Sequence, residues 1–159
     1  MDTIIREYIK TDKHSCIAAF ESNVPDYFTK DEIADFENFL MKIEKEDNTT
    51  YFYVVVYGQQ VIGCGGFGDK DKNNIISLAW GLIHKKFHKK GLGKKLLLHR
   101  IEQIKKLYNE LPVNIDTTQY SFGFFEKFGF STTKITNDYY TIGMHRYDMT
   151  FNKLTRNTD

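Results

Sequence analysis

The alternation of apolar and polar positions changes period along the chain, and each change marks an element. Residues 4–9 read as a strand, and residues 12–20 as a short helix capped by Thr11 or Asp12. Thr29-Lys30-Asp31-Glu32 is a capping box. Behind it Ile33, Phe36, Leu40 and Ile43 recur at helical spacing, so a helix runs to about Lys45. Residues 51–57 are aromatic and β-branched, which predicts a strand. A turn at 58–60 returns the chain through 61–67 as a hairpin. Gly63, Gly65 and Gly66 in that return strand predict a bulge or a close approach. Residues 75–83 complete an antiparallel meander. Residues 92–108 form a helix with Leu97, Ile101, Ile104 and Tyr108 on one face and lysines on the other. Then come a short strand at 113–116, a helix at 121–128 closed by Gly129, and a final strand pair at 130–136 and 141–151. The order predicts an α+β fold around one mixed sheet, with a strand–loop–helix crossover at its centre.

Composition narrows the class. At 159 residues the chain has room for one ordinary domain, expected over 1–159. No apolar run approaches the roughly 18 residues of a membrane span, and the opening residues lack the pattern of a secretory signal. Cys16 and Cys64 lie far apart and in no metal spacing. A cytoplasmic protein with two free thiols and no bound metal is the expectation.

The net charge of +1 hides an uneven distribution. Between Lys85 and Lys106 nine Lys/Arg face one acid, Glu102, a net +8 that leaves −7 for the rest. A basic segment of this kind suits phosphates or nucleic acid. The stretch from Glu21 to Asp47 carries nine acids against three lysines. It forms a solvated face or steers a cationic substrate.

The basic segment opens on a chemical signal. His84-Lys85-Lys86-Phe87-His88-Lys89-Lys90-Gly91-Leu92-Gly93-Lys94 joins a strand to the N-terminus of a helix. Such a terminus offers unpaired N–H groups and partial positive charge, and glycines let backbone curl around an anion. The loop is therefore a pyrophosphate cradle, or a packing loop of ordinary kind. It is not a P-loop, because Gly93-Lys94 is followed by Lys95 and His88 stands where the earlier Gly belongs. It is not the dinucleotide fingerprint either, because position 96 is Leu.

His88-Lys89-Lys90-Gly91-Leu92-Gly93 resembles the Arg/Gln-x-x-Gly-x-Gly/Ala loop that binds acyl-CoA in the GNAT superfamily of N-acetyltransferases, with His88 in place of Arg/Gln. Downstream, the run from Thr118 to Phe130 is similar to the family's second motif. It matches at Glu126, Lys127, Gly129 and Phe130, and departs at Thr118, Ser121 and Phe125. The resemblance implies a three-layer α/β/α fold with a mostly antiparallel sheet and a splayed strand pair. It implies acetyl-CoA as the donor and direct transfer to a primary amine in a ternary complex. Leu82, Ile83, His84, His88, Lys89, Lys90, Gly91, Leu92, Gly93, Lys94, Thr118, Ser121, Phe124 and Phe125 would then face the coenzyme. Ile83 would present a backbone N–H to the thioester carbonyl.

The family's usual proton donor is the tyrosine of the second motif, and Phe125 cannot donate. Either the thiolate leaves unassisted or another group serves. Tyr120 is the nearest by sequence, although on a regular helix it would point elsewhere. The strand at 75–83 carries no acid to act as base, which leaves His145, His84 and Asp116 as candidates. Tyr27, Phe28, Trp80, Tyr139 and Tyr140 are candidate walls for the amine, and Asp26, Asp31 and Asp138 suit an ammonium. The walls of the site include the expected loop at 137–143. Small-molecule or peptide amines are the expected partners, with neither nucleic acid nor membrane, and the family's habit of pairing C-terminal strands implies a homodimer. Two other functions compete: an acyl-CoA-binding module without turnover, and a nucleic-acid binder using the lysine-rich helix.

Overall fold

The β-branched and aromatic runs join edge to edge into one sheet. The computed structural model describes residues 2–45, 49–69, 72, 74–108 and 112–151. The strands are β1 (Thr3–Glu7), β2 (Thr50–Tyr57), β3 (Gln60–Gly68), β4 (Ile76–Ile83), β5 (Val113–Thr117), β6 (Phe130–Thr141) and β7 (Met144–Phe151). They lie in the order β1-β2-β3-β4-β5-β7-β6, antiparallel except for β4 beside β5. The helices are α1 (Lys13–Glu21), α2 (Glu32–Glu44), α3 (Leu92–Tyr108) and α4 (Phe122–Glu126).

Alternation along β2 builds two cores. Tyr53 and Val55 point to the face covered by α3 and α4, where Phe67, Leu97, Ile101, Phe125 and Phe130 pack. Phe52 and Val54 point to the other face, against Phe20 of α1 and Phe36 and Leu40 of α2. The layers are helix, sheet, helix, as expected. Truncating a fully buried ring such as Phe20 or Phe36 to Ala in cores of this density costs about 3–5 kcal/mol.

Some local expectations change. Asp12 stands at the N-terminus of α1 but its side chain does not cap it. Its carboxylate instead accepts two bonds from Arg6, at 2.8 and 2.9 Å, and one from Ile9 N at 2.9 Å. Half of the expected capping box forms: Glu32 Oε1 accepts from Thr29 N at 2.9 Å, while regular helix starts only at Glu32. The expected loop at 137–143 is mostly strand, since β6 runs through Thr141 and the turn is only Ile142-Gly143. Its register with β7 nevertheless breaks between Thr136 and Thr141, around Asp138 at φ 53°. The helix expected at 121–128 is shorter, Phe122–Glu126, and Gly129 follows it at φ 99°.

Two irregularities place the site. The parallel pairing of β4 with β5 holds only at Ile76 with Val113 and Ser77 with Asn114, and beyond these the strands diverge. On the other edge of β4, Cys64 pairs with Leu82 and Gly66 with Ala79, so Trp80 and Gly81 bulge opposite Gly65. Trp80 sits at φ 47°, a strained conformation for a bulky residue.

Candidate active site

The divergence of β4 from β5 opens a cleft of about 1240 Å³ that passes between the helical layers. On the α3 side its walls include His88, Lys89, Gly91, Leu92, Gly93 and Lys94. Lys89 at φ 63° and Gly91 at φ 76° curl the loop, and α3 begins directly after it. Methyl groups in place of the glycine hydrogens would meet nothing within 4 Å at Gly91, and only the Phe124 ring at Gly93, 3.7 Å away. The unpaired N–H groups of the first turn of α3 thus sit beside two lysines and open space, which fits a polyphosphate.

His88 takes a structural part. Its Nε2 lies 2.8 Å from the Ile83 carbonyl, which also accepts from Asn23 Nδ2 at 2.9 Å. With the carbonyl as acceptor, Nε2 must carry the proton. His84 turns away from the cleft, where its Nδ1 accepts from Lys86 N at 3.2 Å. Burial, helped by Lys86 and His88, holds its pKa down. Lys90 also lies outside the cleft walls.

Leu82, Ile83, Thr118, Ser121, Phe124 and Phe125 line the middle of the cleft. Phe125 is buried, edge-on to Phe124 and Phe130, so no hydroxyl stands at its position. Tyr120 does reach the cleft, because the chain turns at 119–121 before α4 begins and the regular-helix argument does not apply. Its ring packs edge-on against Tyr27, which in turn meets His88, so three loops join across the mouth.

On the α2 side the walls include Phe28, Trp80, Tyr140, the acids Glu32, Asp35 and Asp116, and the cations Lys42 and Arg146. Trp80 packs among Phe20, Phe28, Phe36 and Phe39. The Tyr140 hydroxyl donates to Asp116 Oδ2 at 2.6 Å, and burial together with that bond pushes its pKa well up. Burial likewise raises Glu32, against hydrogen bonds from Thr29 that lower it, and the charges of Asp35 and Asp116 add to the rise. Of these acids Asp116 is the one expected from the sequence, as a candidate base; Glu32 and Asp35 were not among the candidates. Asp26 pairs with Lys85 at 2.6 Å, Asp31 lies outside the cleft walls, and Asp138 accepts from Gly143 N in the β6–β7 turn. His145 and Tyr139 are also outside the cleft walls. His145 Nδ1 accepts from Asp138 N at 2.9 Å, and Tyr139 stacks beneath the Arg146 guanidinium at 4.7 Å.

Sequence reasoning missed Asn23, Glu32, Asp35, Arg100 and Arg146 as cleft residues. Glu32 was legible only as a helix cap. Arg100 was counted in the basic face, yet it is buried to 2% exposure.

The sequence of residues 9–153 matches the model of the acetyltransferase (GNAT) domain. The chain belongs to the GNAT acetyltransferase family. Its GNAT fold is shared by a GNAT-family protein from Desulfovibrio desulfuricans (TM-score 0.80, 16% identity, 95% of this chain and 99% of that one). The Escherichia coli ribosomal-protein-S18-alanine N-acetyltransferase is also similar (TM-score 0.77, 13% identity, 98% of each chain). So is the PaiA N-acetyltransferase of Thermoplasma acidophilum, solved in complex with coenzyme A (TM-score 0.70, 18% identity, 96% and 99%). At these identities the likeness establishes the fold alone. No curated protein sequence matches this GNAT domain significantly. Among the described residues no helix is long and apolar enough to cross a membrane, and no cluster of His, Cys, Asp and Glu could hold a metal ion.

Proposed function

We propose that this GNAT domain is an acetyl-CoA-dependent N-acetyltransferase that acts on a cationic primary amine, small or peptide-borne, by direct transfer in a ternary complex. One observation carries the reading: the cleft through the split sheet has a basic glycine loop on its α3 side, while its α2 side gathers three carboxylates, Glu32, Asp35 and Asp116, with Lys42 and Arg146 beside them. Acetyl-CoA supplies an acyl group activated as a thioester. Gly91, Gly93, the first turn of α3, Lys89 and Lys94 would hold its phosphates, and Leu82 and Ile83 would flank its pantetheine arm. Because the Ile83 carbonyl already accepts two bonds, the backbone around Ile83 and the Trp80–Gly81 bulge serves by its N–H groups, an oxyanion-type contact. Glu32, Asp35 and Asp116 draw in the ammonium, and the rings of Phe28 and Trp80 hold its carbon chain. The raised Glu32 carboxylate is placed to accept the proton that the amine must lose before it attacks.

The experiment is thermal unfolding with acetyl-CoA, with ATP as the polyphosphate control, followed by thiol release on a panel of amines. Ligand at about 100 times its Kd adds about 2.7 kcal/mol, a shift of several degrees for a domain of this size. The reading requires that shift with acetyl-CoA, little with ATP, and thiol release with at least one amine. Phe125 gives weight to a second reading, an acyl-CoA-binding module without turnover. That reading predicts the shift with no thiol release.

A further inference from the structure

Of the nine basic residues between Lys85 and Lys106, Arg100 alone is buried. It stands two turns into α3 and lines the cleft beneath the β4 bulge. Two glycines make its space. A Cβ on Gly81 would lie 2.7 Å from its Nη2 and 2.9 Å from Nη1, and a Cβ on Gly65 would lie 3.3 Å from Cζ. Among the described residues its one hydrogen bond is long, from Nη1 to the Gly66 carbonyl at 3.4 Å, and Nε has no partner. No carboxylate among the described residues forms an ion pair with it. The titratable side chain facing it from β3 is Cys64, whose thiol is pushed well up by burial and by the neighbouring Cys16, and so stays neutral. Burial lowers Arg100 to about 10, which leaves it cationic at neutral pH. A buried cation without a counter-charge is costly, and an apolar side chain of the same volume would be more stable. The cleft that Arg100 lines is the side from which an anion can reach it.

Resting on the acetyltransferase reading above, we propose that Arg100 is a catalytic residue, its guanidinium stabilising the coenzyme A thiolate as it leaves. The amine lone pair forms the new C–N bond, the C–S bond breaks, and its electron pair stays on sulfur. The ammonium loses one proton before attack and the nitrogen a second once the C–N bond has formed; both pass through the acidic side of the cleft to water, and nothing is oxidised or reduced. A fixed positive charge then does, without proton transfer, what a tyrosine at position 125 would do by donating one. A preorganised charge aimed at the developing anion of an acyl transfer changes rates by about 100- to 1000-fold.

The test compares wild type, Arg100→Met, Arg100→Gln and Tyr120→Phe. Free coenzyme A is bound to each, and its thiol is titrated by the ultraviolet absorbance of the thiolate against coenzyme-free protein. In wild type and Tyr120→Phe the bound thiol should titrate at least about one unit below the ordinary thiol value of about 8.5. In the Met and Gln variants it should return to that value or rise above it. Acetyl-CoA affinity should stay within about threefold, and the single-turnover rate on the best amine should fall about 100-fold. The Met variant should melt no lower than wild type, and the Gln variant gives the same readout where Met does not fold. An unchanged thiol titration in the Arg100 variants, or a loss carried by Tyr120→Phe instead, overturns the assignment while leaving the acetyltransferase reading intact. Failure of wild type to bind coenzyme A overturns both.

Discussion

Glu32 sits where two demands conflict. As the first residue of α2 it ties back to Thr29 N, and as a wall of the cleft it is buried beside Asp35 and Asp116. Its folded pKa is raised, so the carboxyl contributes stability that is present below the unfolded value of about 4.3 and lost as pH rises through the folded one. At neutral pH the charged form is therefore a net cost to the fold. Glu32→Gln should melt at or above wild type at pH 7, and the difference should vanish near pH 4. The same variant should raise KM for a cationic amine about tenfold, roughly 1.4 kcal/mol of lost binding, and, having lost the proton acceptor, lower kcat about 100-fold. Lower Tm at pH 7 with an unchanged KM would show that the carboxylate serves only the helix. The sequence revealed one of these two parts. A capping box is a local pattern four residues long, whereas the neighbours that raise Glu32 come from the next turn of α2 and from β5. The same distance hid Asp35 as a wall of the amine side, and it made Asp26 and Asp138 look better placed than they are. The motif residues from His88 to Lys94 were legible because a loop and a helix N-terminus define their surroundings without tertiary information. His84 and Lys90 fell outside the cleft because individual side-chain directions in a curled loop are not coded by spacing.

At the scale of elements, β4 is held out of register by what lies under it. The glycine trio of β3 announced a close approach, and one of the bodies that approaches Gly65 is the Arg100 head group. Gly81, on the facing bulge, completes the space. Gly81→Ala would set a Cβ 2.7 Å from the guanidinium, the far end of a flexible side chain, so the head group must shift and the loss should stay near the lower end of overpacking costs, about 1 kcal/mol. A shorter, uncharged partner should relieve it, so Arg100→Met should recover most of the loss in the double variant. Additive losses, measured by chemical denaturation, would mean that the bulge is set by Trp80 and its aromatic bed rather than by Arg100. Helix α3 was readable to the residue, since its apolar stripe and its lysines are both intrinsic to the segment. The burial of Arg100 was not, because a basic residue among eight exposed lysines reads as surface until the sheet above it is known to be glycine. The β6–β7 connection differs from expectation for a related reason: Asn137-Asp138 carries turn chemistry, but the flanking pairs, Thr136 with Arg146 and Thr141 with Met144, keep the segment in strand and leave the irregularity as a break of register.

The whole molecule is a split sheet with a basic loop on one side of its cleft and three carboxylates on the other, and that arrangement makes the reaction directional. An ammonium entering the α2 side meets Glu32, Asp35 and Asp116, which share that wall with Lys42 and with Arg146, 4.0 Å from Asp116. Acetylation turns the ammonium into a neutral amide, so the product no longer carries the charge that the acidic walls attract. For a monoamine the product should therefore bind at least about tenfold more weakly than the substrate, a difference of about 1.4 kcal/mol that favours release. Because the attraction is electrostatic, salt should erode it: the Debye length falls from about 10 Å at 0.1 M to about 3 Å at 1 M. The ratio of the product's inhibition constant to the amine's KM should shrink as ionic strength rises. Over the same range acetyl-CoA affinity should fall too, since Lys89 and Lys94 are exposed. A ratio indifferent to salt would transfer the discrimination from the carboxylates to the shape of the Trp80 and Phe28 walls, where neutral amide and cationic amine differ by volume instead of charge.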